Sequence, residues 1–337
     1  MRALLWPLAG LYGVVIFIRN YLFDKGFLKT TRVSAHVISV GNISAGGTGK
    51  TPLVAFIVKS LVQLGHNVAI VSRGYRGTYS NDGTLVNSES TESSTLFGDE
   101  PVMLSRMTKV PVYVGKKRVI AAQKAVLDGA TTLVMDDGFQ HRWLYRHLDI
   151  VVFDATEEQL QLLPVGRLRE QLFYLKRANI VFISRARTVG VGDLGKTIDF
   201  LAEYGFSQSH KNLFFIDFKI SNIVHVHTRA RLTGADIFLL SAIGKPKNFE
   251  FTMSNMFSVK EHFIYPDHYN WSQGEWTDLI RKCKEAGGFP LVMTEKDAVK
   301  VRSLNSNDYP LFYTEMDVIM DKEFQLRNFV DSENRRS

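Results

Sequence analysis

Apolar positions along the chain fall into short runs separated by helical stripes. "SAHVISVGN", residues 34–42, sets the β-formers Val37, Ile38 and Val40 before a Gly41–Asn42 turn, which predicts a buried strand. After a glycine-rich loop, Leu53, Phe56, Ile57, Leu61 and Leu64 recur at helical spacing, with Pro52 in the first turn and Gly65 placed to stop the helix. "VAIVSRGY" reads as a strand ending at a loop, "GDEPVMLSRM" as the start of a helix, and "VPVYVGKKRVIAAQKAVLDG" as strand then helix. "TTLVMDDG", "LDIVVFDA" and "ANIVFISRA" are further apolar runs bounded by polar residues. Strands alternating with helices predict a parallel sheet covered on both faces. Residues 78–97, Ser/Thr-rich around an "NDG" hairpin signal, read as a surface excursion.

Around residues 212–230 the pattern changes. "NLFFIDFKISNIVHVHTRA" reads as two extended runs with a polar break at Ser221–Asn222, a linking β-ribbon. "ADIFLLSAIGKPKNFEFTM", "VKEHFIYPDHYNW" and "FPLVMTEKDAVKV" then return to strand–loop–helix units. The expected division is an N-terminal segment (1–30), a core (31–211), the ribbon (212–230) and a smaller α/β domain (231–337).

The loop between the first strand and helix carries the first chemical signal. "SAGGTGKT" runs Ser44, Ala45, Gly46, Gly47, Thr48, Gly49, Lys50, Thr51. It departs from G-x-x-x-x-G-K-[ST] only in having Ser44 for the first glycine. Loop N–H groups and the helix N-terminus converge on an anion in this geometry, and glycine lets the backbone approach phosphate closely. Lys50 reaches the outer phosphates and the Thr51 hydroxyl suits Mg²⁺. The bland alternative, a flexible turn before an ordinary helix, has no need of Gly-Lys-Thr.

Composition bounds the rest. The 337 residues suffice for two domains and a sizeable core. One cysteine, Cys283, leaves no disulfide framework within the chain and suits a reducing compartment. The formal charge of +7 favours an anionic partner: nucleic acid, an anionic membrane surface or a phosphorylated substrate. The uncharged run from Ala3 to Ile18, flanked by Arg2 and by Arg19, Lys25, Lys29 and Arg32, falls short of the roughly 20 residues that span a bilayer. It suits a helix in the membrane interface with basic flanks at the headgroups; a helix packed on the core and a spanning helix are the alternatives.

Further candidates lie at element ends. Asp136 and Asp137 close "TTLVMDD", where a P-loop protein commonly holds Mg²⁺ through carboxylate oxygen. Asp99 and Glu100 precede Pro101, a pattern that an ordinary helix N-cap and acidic first turn also explain. Arg167, Arg169 and Glu170 lie in "LLPVGRLREQL", where guanidinium groups suit phosphate oxygens or a solvated junction. "SRGYRG", 72–77, puts two arginines and an aromatic after a strand. His268 follows Asp267 in "YPDHYNW", and a lone histidine is by itself a weak signal.

Taken together, "RNYLFDKGFL", "VISVGNISAGGTGKTPLV", "VSRGYRG", "GDEPVMLSR", "DDGFQHRWLYRHLDIVVFDA", "LLPVGRLRE", "SAIGKPKNF", "YPDHYNW" and "TEKDAVK" resemble, in order, the tetraacyldisaccharide 4′-kinases of lipid A biosynthesis. The resemblance implies an α/β fold: a RecA-like P-loop NTPase domain with a parallel sheet, a smaller C-terminal α/β domain, a linking ribbon and an N-terminal membrane-interface helix. It implies ATP and Mg²⁺, and transfer of the γ-phosphoryl to the 4′-hydroxyl of an acylated glucosamine disaccharide 1-phosphate. The setting it implies is peripheral, at the cytoplasmic face of the bacterial inner membrane, with no nucleic-acid partner. Residues 44–51 would hold the nucleotide, with Lys50 and Arg169 on the transferring group. Thr51, Asp136, Asp137 and Glu170 would be the metal ligands. Asp99 and His268 would form the pair that takes the hydroxyl proton, with His262 as the alternative histidine. The other classes compatible with the P-loop are a deviant P-loop ATPase, which usually carries a second lysine where this chain has Ala45, and a membrane-bound nucleotide switch.

Overall fold

The computed structural model describes residues 5–75, 77–79, 83–88, 93–210 and 212–320. Arg76 of "SRGYRG" and the Asn81–Asp82 turn lie outside the described residues.

The chain begins with helix α1, Trp6–Asp24. A first block of parallel strands follows: β1 (His36–Gly41), β2 (Val68–Ser72), β4 (Val112–Val114), β5 (Thr132–Asp136), β6 (Leu148–Asp154) and β7 (Ile180–Ser184). The short β3 (Thr84–Leu85) is antiparallel at the edge. Helices α2 (Lys50–Gln63), α3 (Ser93–Phe97), α4 (Asp99–Thr108) and α5 (Arg118–Leu127) lie between them in the chain, and α6 (Val191–Ala202) follows β7. Val40, Ile57, Ile70, Val134 and Val152 belong to one fully covered core. Val37, Val71, Ala121 and Met135 form another. This is the double cover that continuous Val/Ile/Leu runs require.

Strand β8, Leu213–His225, is one continuous strand, not two runs with a break. The polar pair that suggested the break takes cross-strand partners. Ser221 Oγ donates to the Glu315 carbonyl at 3.3 Å and Asn222 Nδ2 to Glu315 Oε2 at 3.2 Å, where the ladder to β12 (Leu311–Met320) shifts register. Beyond β8 come β9 (Asp236–Ser241), α7 (Pro246–Ser254), β10 (Ser258–Ile264), α8 (Gln273–Glu285), β11 (Leu291–Thr294) and α9 (Glu295–Val301).

Among the described residues all twelve strands form one sheet, ordered β10-β9-β11-β12-β8-β7-β6-β1-β5-β2-β4-β3. Its register places the site. β8 runs parallel to β7 and pairs with it only as far as Ser184↔Ile216. It then continues past the carboxyl end of the first block, antiparallel to β12. β12, β11, β9 and β10 are mutually parallel, so this second block runs the opposite way. Its strand β11 ends at Thr294, level with Thr314 and Ile223. The carboxyl ends of the two blocks therefore face each other across the β8–β12 ribbon. They stand about 23 Å apart if β8 rises ~3.3 Å per residue from Ile216 to Ile223. Ligands of open α/β sheets bind outside the carboxyl ends of the strands, and here two such edges share one cleft.

Candidate active site

The phosphate loop is braced before any ligand arrives. Ala45 N–H donates to the Arg167 carbonyl at 2.7 Å and Arg169 N–H to the Ile43 carbonyl at 2.8 Å. Arg185, itself paired with Asp154, donates from Nη2 to the Gly47 carbonyl at 2.8 Å. Asn42 Nδ2 reaches Thr48 Oγ1 at 3.2 Å, and Ser44 is buried in a bridge to Leu168. Gly46 and Gly49 lie at φ 118° and 89°, where other residues are strained, and Gly49 is the N-cap of α2. Lys50 and Thr51 thus enter the helix directly from the loop, and the unsatisfied N–H groups of that first turn are what an anion uses.

Beside the loop, β5 delivers two carboxylates with different environments. Asp137, at φ 50°, accepts both oxygens' worth of hydrogen bonding from Arg169 Nη1 at 2.8 Å, and Lys50 Nζ lies 3.4 Å away. Burial alone would raise its carboxyl, but Lys50 and Arg169 together outweigh that and hold it well below the usual range. Asp136 is buried, and Ser72 Oγ donates to its Oδ2 at 3.3 Å. Burial, then Glu100 and Asp137, push it up to about 7 against the pull of Lys50 and Arg118. Arg118, buried at the start of α5, donates to the Asp137 carbonyl at 2.7 Å. Sequence reasoning placed neither Glu100 nor Arg118 in this group. Each begins or nearly begins a helix, where charge is ordinary.

Asp99 starts α4 behind Gly98, which takes the N-cap position, so the Asp99 side chain is not spent on capping. Its Oδ2 lies 3.3 Å from His268 Nδ1. The residues are 169 positions apart, one on each block, and they meet across the cleft. His268 lies beside the Tyr75 ring, at 5.9 Å between centroids. His262 does not take this place. Its ring bonds Ser241 Oγ at 2.8 Å and Glu250 Oε2 at 3.1 Å within the second block.

Glu170 is not brought to the carboxylate group. Its side chain is fully buried and accepts from Arg177 Nη2 at 2.7 Å, Gln140 Nε2 at 2.8 Å and Asn20 Nδ2 at 3.1 Å. Those three donors occupy both oxygens, and a metal there would have to displace them. Asn20 comes from α1, whose buried stripe Ala9, Gly13, Ile16, Asn20 and Phe23 follows helical spacing. Tyr12 Oη donates to the Arg169 carbonyl at 2.6 Å, and Gln171 Nε2 to the Gly13 carbonyl at 2.7 Å. The N-terminal helix therefore packs on the segment that carries Arg169. Its opposite side leaves Trp6, Leu11, Val14, Val15 and Ile18 exposed. At nineteen residues it is longer than the apolar run suggested, and long and apolar enough to cross a membrane by length and composition.

Among the described residues no three His, Cys, Asp or Glu side chains gather in a metal cage. An ion here would complete its shell from a bound phosphate, as Mg²⁺ commonly does.

A family model described as tetraacyldisaccharide-1-P 4′-kinase matches residues 1–335. The chain is similar to the tetraacyldisaccharide 4′-kinase of Bdellovibrio bacteriovorus, 35% identical over 328 residues that cover 94% of this chain and 95% of that one. It is also similar to that of Psychrobacter arcticus, 33% identical over 312 residues, 89% of this chain and 78% of the relative. The fold resembles a crystal structure of LpxK from Aquifex aeolicus in complex with ATP. The TM-score is 0.77 at 25% identity, covering 98% of this chain and 99% of that one.

Proposed function

The chain belongs to the tetraacyldisaccharide 4′-kinase family, and from that premise we propose how its own residues carry the transfer. The enzyme moves the γ-phosphoryl of ATP to the 4′-hydroxyl of an acylated glucosamine disaccharide 1-phosphate. The observation that carries the residue assignment is the cleft itself. Lys50, Arg169 and the Asp136–Asp137 pair stand on one edge, His268 on the other, and Asp99 touches His268 across it.

Residues 44–51 cradle the phosphates through loop N–H groups. Lys50 and Arg169, which now share Asp137, turn to the γ-phosphate oxygens and neutralise charge that spreads there in the transition state. Asp99 accepts the 4′-hydroxyl proton while His268 orients it. The 4′-oxygen bonds to γ-phosphorus, the bond to the β-phosphate oxygen breaks, ADP leaves and the proton rests on Asp99. The facing block excludes water, which would otherwise compete for the phosphoryl group.

The residues present fit Mg²⁺. Asp136 is raised by burial first and then by the Glu100 and Asp137 carboxylates, and a hard cation beside that group of oxygens would relieve both. Thr51, Asp136 and Asp137 would hold the ion, and it would supply charge neutralisation at the β- and γ-phosphate oxygens. Glu170 instead anchors α1 and Arg177 behind the site.

We further assign the exposed apolar side of α1 to the membrane interface, with Lys25, Lys29 and Arg32 at anionic headgroups. In this reading the acceptor lipid lies beside the cleft, and we take the protein to sit peripherally at the cytoplasmic face of the inner membrane, as the lipid A pathway implies. We propose the same division of the chain as the sequence pattern: an N-terminal segment (1–30), P-loop core (31–211), ribbon (212–230) and smaller domain (231–337).

Mass spectrometry of a disaccharide 1-phosphate lipid incubated with ATP and the protein, with and without Mg²⁺, tests the reading. A product heavier by one phosphoryl group, formed only with Mg²⁺, supports it. ATP hydrolysis indifferent to the lipid contradicts it.

A further inference from the structure

Two lysines one turn apart on α9 stand behind the Asp99–His268 pair. Lys296 Nζ lies 3.1 Å from His268 Nε2 and 3.1 Å from Asp267 Oδ1. Lys300 Nζ lies 3.5 Å from Asp99 Oδ2 and 3.8 Å from Asp297 Oδ1, with the Trp271 ring at 5.9 Å. The Lys300 side chain is 2% exposed and that of Asp297 0%. Taking two such charges out of water is costly, and well-packed apolar residues often serve stability as well or better. The burial of Lys300 at this place is therefore not explained by stability alone.

The geometry behind it supplies the rest. Asp297 Oδ2 accepts from Thr294 Oγ1 at 2.7 Å and from the Ala242 N–H at 3.2 Å. The Ala242 carbonyl in turn accepts the His268 N–H at 3.2 Å. One buried carboxylate thus holds the backbone of Ala242, whose carbonyl seats His268, and lies 3.8 Å from the lysine that meets Asp99. His268 sits at φ 64°, a conformation that persists only where its surroundings impose it. An ammonium only donates, so Lys296 at Nε2 makes that nitrogen the acceptor and leaves the ring proton on Nδ1, facing Asp99. Both His268 Nδ1 and Lys300 Nζ reach the same oxygen, Asp99 Oδ2.

We propose that Lys300 is a positioning residue for the phosphoryl transfer. With Asp297 behind it and His268 beside it, it holds Asp99 Oδ2 so that Oδ1 faces the acceptor hydroxyl, while Lys296 fixes the His268 tautomer. The inference rests on Asp99 being the proton acceptor, as argued above.

Lys300→Met keeps the length of the stem and removes the charge. The expected result is kcat lower by about 10²-fold, the scale of a small misplacement of a reacting group, with KM for ATP unchanged. Lys300→Arg, which keeps the charge, recovers part of the rate. In the Asp99→Ala background Lys300→Met has no further effect, because a residue acting through Asp99 has nothing left to position. A Lys300→Met enzyme with normal kcat overturns the proposal, as does a loss that multiplies with that of Asp99→Ala. If Lys300→Met does not fold, the less buried Lys296→Met carries the test. It should lower kcat alone and add nothing to His268→Ala, and a silent Lys296→Met overturns the proposal. An Asp99→Ala enzyme with near-normal rate removes the premise and the proposal together, a result distinct from a silent lysine beside a crippling Asp99→Ala.

Discussion

Phe218, on the long strand β8, lies so close over Gly49 of the phosphate loop that a Cβ on Gly49 would overlap its ring. The strand that joins the two blocks therefore touches the loop that holds the nucleotide. Two separate costs attach to Gly49→Ala: the left-handed backbone at φ 89°, about 1–2 kcal/mol, and the ring overlap. The variant should lose ATP binding in calorimetry. Gly49→Ala with Phe218→Ala should recover only the part due to overlap. Full recovery would mean that the backbone conformation is not what the loop requires.

Lys50 serves phosphate and not the core, since among the described residues its ammonium pairs with Asp137, at 3.4 Å, at the mouth of the loop. Lys50→Ala should still fold and lose about 10²–10³ in turnover, far more than the lost Asp137 contact lowers its thermal midpoint. A folded variant with near-normal rate would remove the phosphate-loop assignment.

Much of this was legible in the sequence. The β1–loop–α2 unit, the carboxylates closing β5 and the apolar N-terminal helix each leave a local pattern. The contacts that organise the site leave none. Glu170 meets Asn20 from 150 positions away, and Lys300 reaches Asp99 from the other block. Nothing in the spacing of either residue encodes its partner. The run through Ser221–Asn222 read as a break because polar residues commonly end strands, whereas here Glu315 satisfies both across the ladder. Glu170 enters the ligand set only through the family resemblance, and only the fold reveals the three donors on it.

The exposed side of α1 can be tested without disturbing its buried stripe. Leu11→Glu and Val15→Glu lie on that exposed side. Each should weaken binding to vesicles containing anionic lipid by roughly tenfold or more, from the lost apolar burial alone. Transfer to a short-chain, water-soluble acceptor should be unaffected. Unchanged vesicle binding would contradict the interfacial role.

Acid should weaken the fold through a histidine pair. His36 stacks on His147 at 4.4 Å, and the Val37 N–H donates to His147 Nδ1 at 2.9 Å, which requires that nitrogen unprotonated. Burial first, then His147 and His66, push His36 down to about 4 from its ordinary 6.5. The unfolded chain therefore binds a proton that the folded chain refuses. The stability is full above pH 6.5, drains as pH falls toward 4, and falls no further below that. The drain is on the order of 2–3 kcal/mol. In urea titrations from about pH 8 to pH 4.5, His36→Phe should show a smaller loss than the parent. Equal losses would mean that His36 does not carry the effect.

Proton acceptance depends most directly on the contact between Asp99 and His268, 3.3 Å apart across the cleft. The measurement is the initial rate of lipid phosphorylation for Asp99→Ala, His268→Ala and the double variant, each at saturating ATP. If the two work as one proton-accepting unit, all three lose a similar amount, within the 10²–10⁴ typical of general-base help, with ATP affinity nearly unchanged. Losses that multiply in the double variant, or a silent His268→Ala beside a crippled His262→Ala, would contradict it.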